Sequence, residues 1–153
     1  MPYRIETKEV KPQPVMSARV NCRVGEVGPL LKQFLLQVHA HIEKHGARPS
    51  GPPFTRYHGY TGTQVDLEVG FPVSAPVPAG EGIDAGELPG GTVAFTVHVG
   101  PYEELPKAHD AMDVWMREKG KVSRGDQWEY YWTVPDEWTD RSAFKTELLW
   151  PVK

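Results

Sequence analysis

The sequence predicts an α+β fold: a β-α-β-β unit written twice with pseudo-twofold symmetry, giving a largely antiparallel sheet with two helices on one face. Two internal echoes predict it. The stretch Asp66 to Val73 (Asp-Leu-Glu-Val-Gly-Phe-Pro-Val) and the final stretch Phe144 to Val152 (Phe-Lys-Thr-Glu-Leu-Leu-Trp-Pro-Val) share a Pro-Val ending. Aligning those endings matches Glu68 to Glu147 and Phe71 to Trp150. Gly28-Pro29 and Gly100-Pro101 each precede an apolar helical stripe, and Gly46 or Gly120 closes it.

The elements follow in order. Tyr3 to Val10 alternates Tyr3, Ile5 and Thr7 with charged residues, as a half-buried strand does, and Lys11-Pro12-Gln13-Pro14 breaks it. Val15 to Val24 is a second strand, with Val20, Cys22 and Val24 on one face. Leu31, Phe34, Leu35, Val38 and Ile42 fall on one stripe of the first helix. Phe54 to Tyr60 and Val65 to Val73 form a hairpin through Thr61-Gly62-Thr63. The second half repeats this order. Thr92 to Val99 is a strand, and Leu105, Ala108, Met112, Trp115 and Met116 stripe a helix that carries Pro106 in its early part. Gln127 to Thr133 and Ala143 to Val152 are the last strands, joined by the acidic loop Pro135 to Arg141. All 153 residues read as one domain, with a first half at about 1–75, a Pro/Gly-rich linker at about 76–90 and a second half at about 91–153.

Composition narrows the function. A net charge of −3 argues against a broad phosphate-binding surface. A single cysteine, Cys22, excludes an intrachain disulfide, and its alternation with Val20 and Val24 marks a core thiol rather than a nucleophile. No apolar run approaches the roughly 20 residues of a spanning helix, and the start carries no signal-peptide pattern, so a cytoplasmic protein is expected. His41 and His45 have helical i, i+4 spacing, but no glutamate sits as in the His-Glu-x-x-His zinc motif and no third ligand is evident. Neither a metal nor a cofactor is expected. Five Trp, six Tyr and five Phe are generous for this length and lie mostly in the C-terminal half.

Those aromatics surround the leading candidate. Glu147 lies mid-strand between apolar neighbours, with Tyr131, Trp132 and Trp150 nearby in sequence or across the expected hairpin. A carboxylate held among rings demands a cation, and a lipophilic cation supplies both charge and cation–π contact, about 0.5 to 2 kcal/mol per ring. The competing reading is a Lys or Arg across the sheet as its partner. Glu68 and Tyr57 are the counterparts in the first half, and Trp115, on a helix stripe, is either core or one end of the groove.

His98-Val-Gly-Pro-Tyr102 with the helix after it, Glu129-Tyr-Tyr131, Thr146-Glu147 running into Pro151-Val152, and Asp66-Leu-Glu68-Val-Gly70-Phe-Pro-Val73 together resemble the GyrI-like small-molecule-binding family, over essentially the whole chain. That family includes the effector-binding domains of AraC-type and MerR-type multidrug-responsive regulators. The resemblance implies a ligand groove between the halves, in which aromatic rings and a central glutamate take hydrophobic, often cationic compounds. Glu147 matches the glutamate, and Tyr131 the aromatic of the Glu-x-Tyr motif. With the first strand starting at residue 3, no helix-turn-helix precedes the domain, so a stand-alone form without direct DNA binding is expected.

The expected activity is therefore capture of a hydrophobic or cationic small molecule by a monomer, with Glu147, Tyr131, Glu68, Tyr57, Trp132, Trp115 and Trp150 as ligand-binding residues. An alternative from the same resemblance is hydrolysis of electrophilic, strained-ring compounds, with Glu147 as general acid/base and Tyr131 positioning substrate or relaying a proton. A third is a protein-interaction module like the gyrase-inhibiting members, through acidic pairs such as Glu103-Glu104 or Asp136-Glu137.

Overall fold

The computed structural model describes residues 3–133 and 140–153. In chain order its elements are β1 (Glu6–Val10), β2 (Gln13–Arg23), α1 (Val27–Lys44), β3 (Phe54–Tyr60), β4 (Gln64–Pro72), β5 (Asp84–Leu88), β6 (Gly91–Val99), α2 (Leu105–Glu118), β7 (Trp128–Tyr131) and β8 (Lys145–Pro151). They form two compact units. The first is Lys11–Gly90; the second is Met1–Val10 together with Gly91–Lys153. The fold class is α+β, every strand pair within a unit is antiparallel, and each unit contains the expected β-α-β-β run.

In the first unit the strands lie in the order β3-β4-β2-β5. The register pairs Ala18 with Val69, Val20 with Leu67 and Cys22 with Val65, so the inward side chains of two strands meet on one face. Leu30, Leu31, Phe34 and Leu35 of α1 pack on that face, and Val38 and Ile42 continue the contact toward Met16, Ala18 and Val73. Side chains such as Leu67, Val38 and Ile42 are fully buried, and each contributes about 1.5–3 kcal/mol of hydrophobic stabilisation. Cys22 is buried in this cluster. Gly46, at φ 73°, ends α1: its N–H and that of Ala47 return to the carbonyls of Glu43 and Ile42.

The second unit has the matching order β1-β6-β8-β7. Ala94 and Leu148 meet Ala108, Met112 and Met116 of α2, and Tyr3, Ile5, Trp115 and Trp150 pack round that cluster. The turn into α2 is tied by His98, which is buried. The Tyr3 hydroxyl lies 2.8 Å from its Nδ1 and the Pro101 carbonyl 3.1 Å from its Nε2, so the hydroxyl donates to one nitrogen while the other donates to the carbonyl. Pro106 sits in the first turn of α2, where its missing N–H is harmless, and a 3-10 turn at Tyr102–Glu104 precedes it.

Three expectations need correction. Residues 84–88, read as linker, form β5 and pair with β2; backbone pairing, to which a Pro/Gly count is blind, makes the strand. The first strand, read with the first half, pairs with β6 and belongs to the second unit, and residues 76–90, read as linker, belong to the first. Val24 is not on the Val20–Cys22 face; it leaves the strand in a 3-10 turn, Val24–Glu26, and is half exposed. Most of the acidic loop expected at Pro135 to Arg141, including Asp136 and Glu137, lies outside the described residues.

One glycine is required by close approach. A Cβ on Gly70 would stand 2.0 Å from the Met16 carbonyl oxygen, which is backbone and cannot swing aside. Gly70→Ala is expected to destabilise the protein by about 1–3 kcal/mol. Gly28→Ala, in open space on α1, should be neutral or stabilise by about 0.4–1 kcal/mol. Urea midpoints of the two variants check both.

Candidate functional site

In the second unit, α2 covers only one face of the sheet. Ala94, Leu148 and Trp150 point to it. Strand alternation then turns Val93, Phe95, Val97 and Val99 of β6, Tyr130 of β7, and Glu147 and Leu149 of β8 to the other face, which is buried at Val93 and Leu149 and open at Val97 and Val99. On that face Glu147 lies between Val97 on one neighbouring strand and Tyr130 on the other. Glu147 is only 8% exposed, while Val97, Val99 and Trp132 around it are 43%, 55% and 55% exposed. A carboxylate thus sits at the bottom of an apolar, partly aromatic patch.

Two groups hold it. The Trp132 indole N–H donates to Oε1 at 3.0 Å, as its place in the expected constellation requires. The Lys8 ammonium donates to Oε2 at 2.7 Å. Lys8 comes from β1, two strands away; its Nζ passes 4.2 Å from the centre of the Phe95 ring on the intervening β6. The carboxylate therefore has a resident cation, the competing reading of the sequence. Lys8 itself is 38% exposed at its side chain, so water reaches the pair from one side.

The structure does not bring Tyr131, Trp150 or Trp115 to Glu147. Tyr131 is one residue out of phase: it pairs with Thr146, faces α2, and donates its hydroxyl to Glu129 Oε1 at 2.8 Å. Glu129 is 1% exposed and lies 3.4 Å from His109 Nε2. Trp150 packs in the α2 cluster against the His109 ring, and Trp115 joins the same cluster from the helix. A Glu147–Tyr131 proton relay is accordingly not assembled within this unit. Sequence reasoning missed Lys8 and the burial of Glu129. The alternation of β1 put Lys8 on a charged face but could not say which strand it would lie beside.

The phenols respond to these carboxylates. Burial pushes Tyr130 up to about 12 from 10.0; a Trp128 hydrogen bond pulls the other way, and the Glu147 charge adds to the rise. Tyr102, whose ring meets Tyr131 edge-on at 5.7 Å, is raised by burial and then by the Glu129 charge.

In the first unit the matching carboxylate has different company. Glu68 also faces away from its helix, and Tyr57 again lies on the helix side, with Leu67, Leu31 and Phe34. Glu68 accepts from Ser17 Oγ at 2.7 Å and meets His58 Nε2 at 2.9 Å. Its cross-strand partners are Arg19 and Arg56 rather than Val97 and Tyr130. The position matching Lys8 is Gly86, whose missing Cβ would lie 3.6 Å from Glu68 Oε2. One glutamate has apolar and aromatic cross-strand neighbours; the other has two arginines, of which Arg19 is paired with Asp66.

A family model described as the GyrI-like small molecule binding domain matches residues 1–153. The chain belongs to the GyrI-like family. No curated protein matches the sequence. Among solved structures, the C-terminal domain of EcmrR is similar at a TM-score of 0.81 and 23% identity, covering 100% of this chain and 99% of that one. The chain also matches EcmrR in its DNA complex at a TM-score of 0.85 and 22% identity, covering 99% of this chain and 57% of that longer one. SAV2435, solved bound to tetraphenylphosphonium, is similar at a TM-score of 0.69 and 10% identity, covering 100% of this chain and 94% of that one. The first two liken the GyrI-like fold here to a domain of a DNA-bound protein.

The raised Tyr130 predicts alkaline behaviour. The unfolded chain ionises this phenol near 10 and the folded one near 12. Stability from its burial is thus complete below pH 10 and lost as pH climbs from 10 to 12. Denaturant unfolding across that range should show a shallower loss in Tyr130→Phe than in the parent protein.

Proposed function

We propose that this GyrI-like protein captures hydrophobic cations at the exposed Val97–Val99 and Trp132 patch of its second unit, with Glu147 as charge partner. The observation that carries the reading is the buried carboxylate under the exposed patch of Val97, Val99 and Trp132. A patch of this kind on a soluble domain marks a binding surface, and a carboxylate within it selects positive charge. That SAV2435 was solved with tetraphenylphosphonium supports a ligand of this class.

The bound cation displaces the Lys8 ammonium from Glu147 Oε2, and Lys8 swings to solvent on its flexible stem. Trp132 and Tyr130, whose ring centres are 6.1 Å apart, then give the ligand aromatic surface while the Trp132 N–H keeps its bond to Oε1. Exchange of one cation for another avoids leaving the carboxylate bare. It also favours apolar ligands, whose hydrophobic contact must outweigh the lost lysine bond. Glu68 is the weaker candidate, because two arginines, Arg19 and Arg56, already stand across the sheet from it and Ser17 and His58 already hold its oxygens.

Titration of the protein with tetraphenylphosphonium, read by tryptophan fluorescence and calorimetry, tests this. Glu147→Gln should weaken binding about tenfold or more, which is near 1.4 kcal/mol. Lys8→Met should strengthen it several-fold by removing the competitor, and Glu68→Gln should leave it unchanged. Equal affinity in Glu147→Gln and the parent protein would move the site away from Glu147.

A further inference from the structure

We infer that the first unit carries a separate site for a small carboxylate with an apolar body. A cavity of about 320 Å³ opens between the end of α1, the loop at 47–50 and the segment at 73–78. That is the size of a pocket for a small organic molecule. Val73 and Val77, both buried, and Pro49, Pro76 and Pro78 form its walls. The prolines fix the backbone around it and present no N–H groups of their own, so the walls are rigid and mostly apolar. The floor is tied to the sheet: the Ser50 N–H donates to the Pro72 carbonyl at 2.8 Å and the Val73 N–H to the Pro14 carbonyl at 2.9 Å.

The polar groups on the lining share one character. They are Arg48, His45, Ser50 and Ser74, and no Asp or Glu side chain lines the cavity. Among the described residues Arg48 makes no ion pair, whereas its neighbour Lys44 meets Glu81 at 3.3 Å. The His45 ring is held by its Nδ1, 2.9 Å from the His41 carbonyl. The cavity adjoins a helix C-terminus, which would repel an anion, but the N–H groups of His45, Gly46 and Ala47 already occupy carbonyls of the last turn. An unpaired guanidinium beside two hydroxyls and apolar walls suits a carboxylate, which it can grip with two parallel hydrogen bonds. The same walls disfavour a fully hydrated ion such as inorganic phosphate. The site has the opposite charge preference to the Glu147 face and does not depend on it.

Sodium benzoate is the probe, followed by backbone amide chemical shifts of the full chain. The expected result is a saturable shift of amides at 45–50 and 73–77 that Arg48→Gln weakens about tenfold. Ala75→Trp, which fills the cavity from an exposed position, should abolish it, and Glu147→Gln should leave it intact. Sodium phosphate at the same concentration should move these amides far less. The inference falls if benzoate leaves those amides unmoved, if Arg48→Gln binds as the parent does, or if phosphate matches benzoate.

Discussion

A strand sends successive side chains to opposite faces, and in each unit a helix covers just one of those faces. The placement of every candidate site residue on the strands depends on that constraint. On the covered face the demand is for volume, met by Met112, Leu148 and Ala94 under α2 and by Leu67, Val69 and Ile42 under α1. On the other face Val93, Leu149 and Val15 are buried too, but the residues around the two glutamates differ between units. The α2-side trio of Glu129, Tyr131 and His109 and the open-face trio of Glu147, Trp132 and Lys8 are separated by a single step of that alternation.

The difference is specific to the positions around the glutamates. At matching register positions, Val97, Tyr130 and Lys8 in the second unit stand where Arg19, Arg56 and Gly86 stand in the first. The glutamate is kept while its surroundings change from apolar to cationic. In the second unit, Lys8 meets the desolvation demand of Glu147 with one flexible contact. In the first unit a hydroxyl and an imidazole do so, within a strand-face cluster that also holds the Arg19–Asp66 pair at 2.7 Å. On the proposed reading the lysine arrangement of the second unit is the exchangeable one, because a lysine at the rim can leave without unpacking a side chain beneath it.

Periodicity made the helices, seven of the eight strands and the Glu68–Glu147 correspondence legible, since each rests on residues close together in sequence. Leu31, Phe34, Leu35, Val38 and Ile42 pack as their spacing predicted. The pairing partners of β1 and β5 were not legible, because they depend on contacts between distant segments. The constellation around Glu147 failed for a related reason. Tyr131 and Trp150 are near it along the chain or across the hairpin, yet each is out of phase with it, and side chains one residue out of phase face opposite sides of the sheet. Trp132, in phase with Tyr130, does reach Glu147. Lys8 lies 139 residues from Glu147, and nothing local announces the pair.

The central claim is that Lys8 is a displaceable counter-cation of Glu147. It is tested most directly by the nitrogen-resolved NMR signal of the Lys8 ammonium as tetraphenylphosphonium is added. The account predicts a signal protected from water exchange in the free protein, through its bond to Glu147, that is lost in step with ligand saturation. A Lys8 signal that stays protected while the ligand saturates would contradict it.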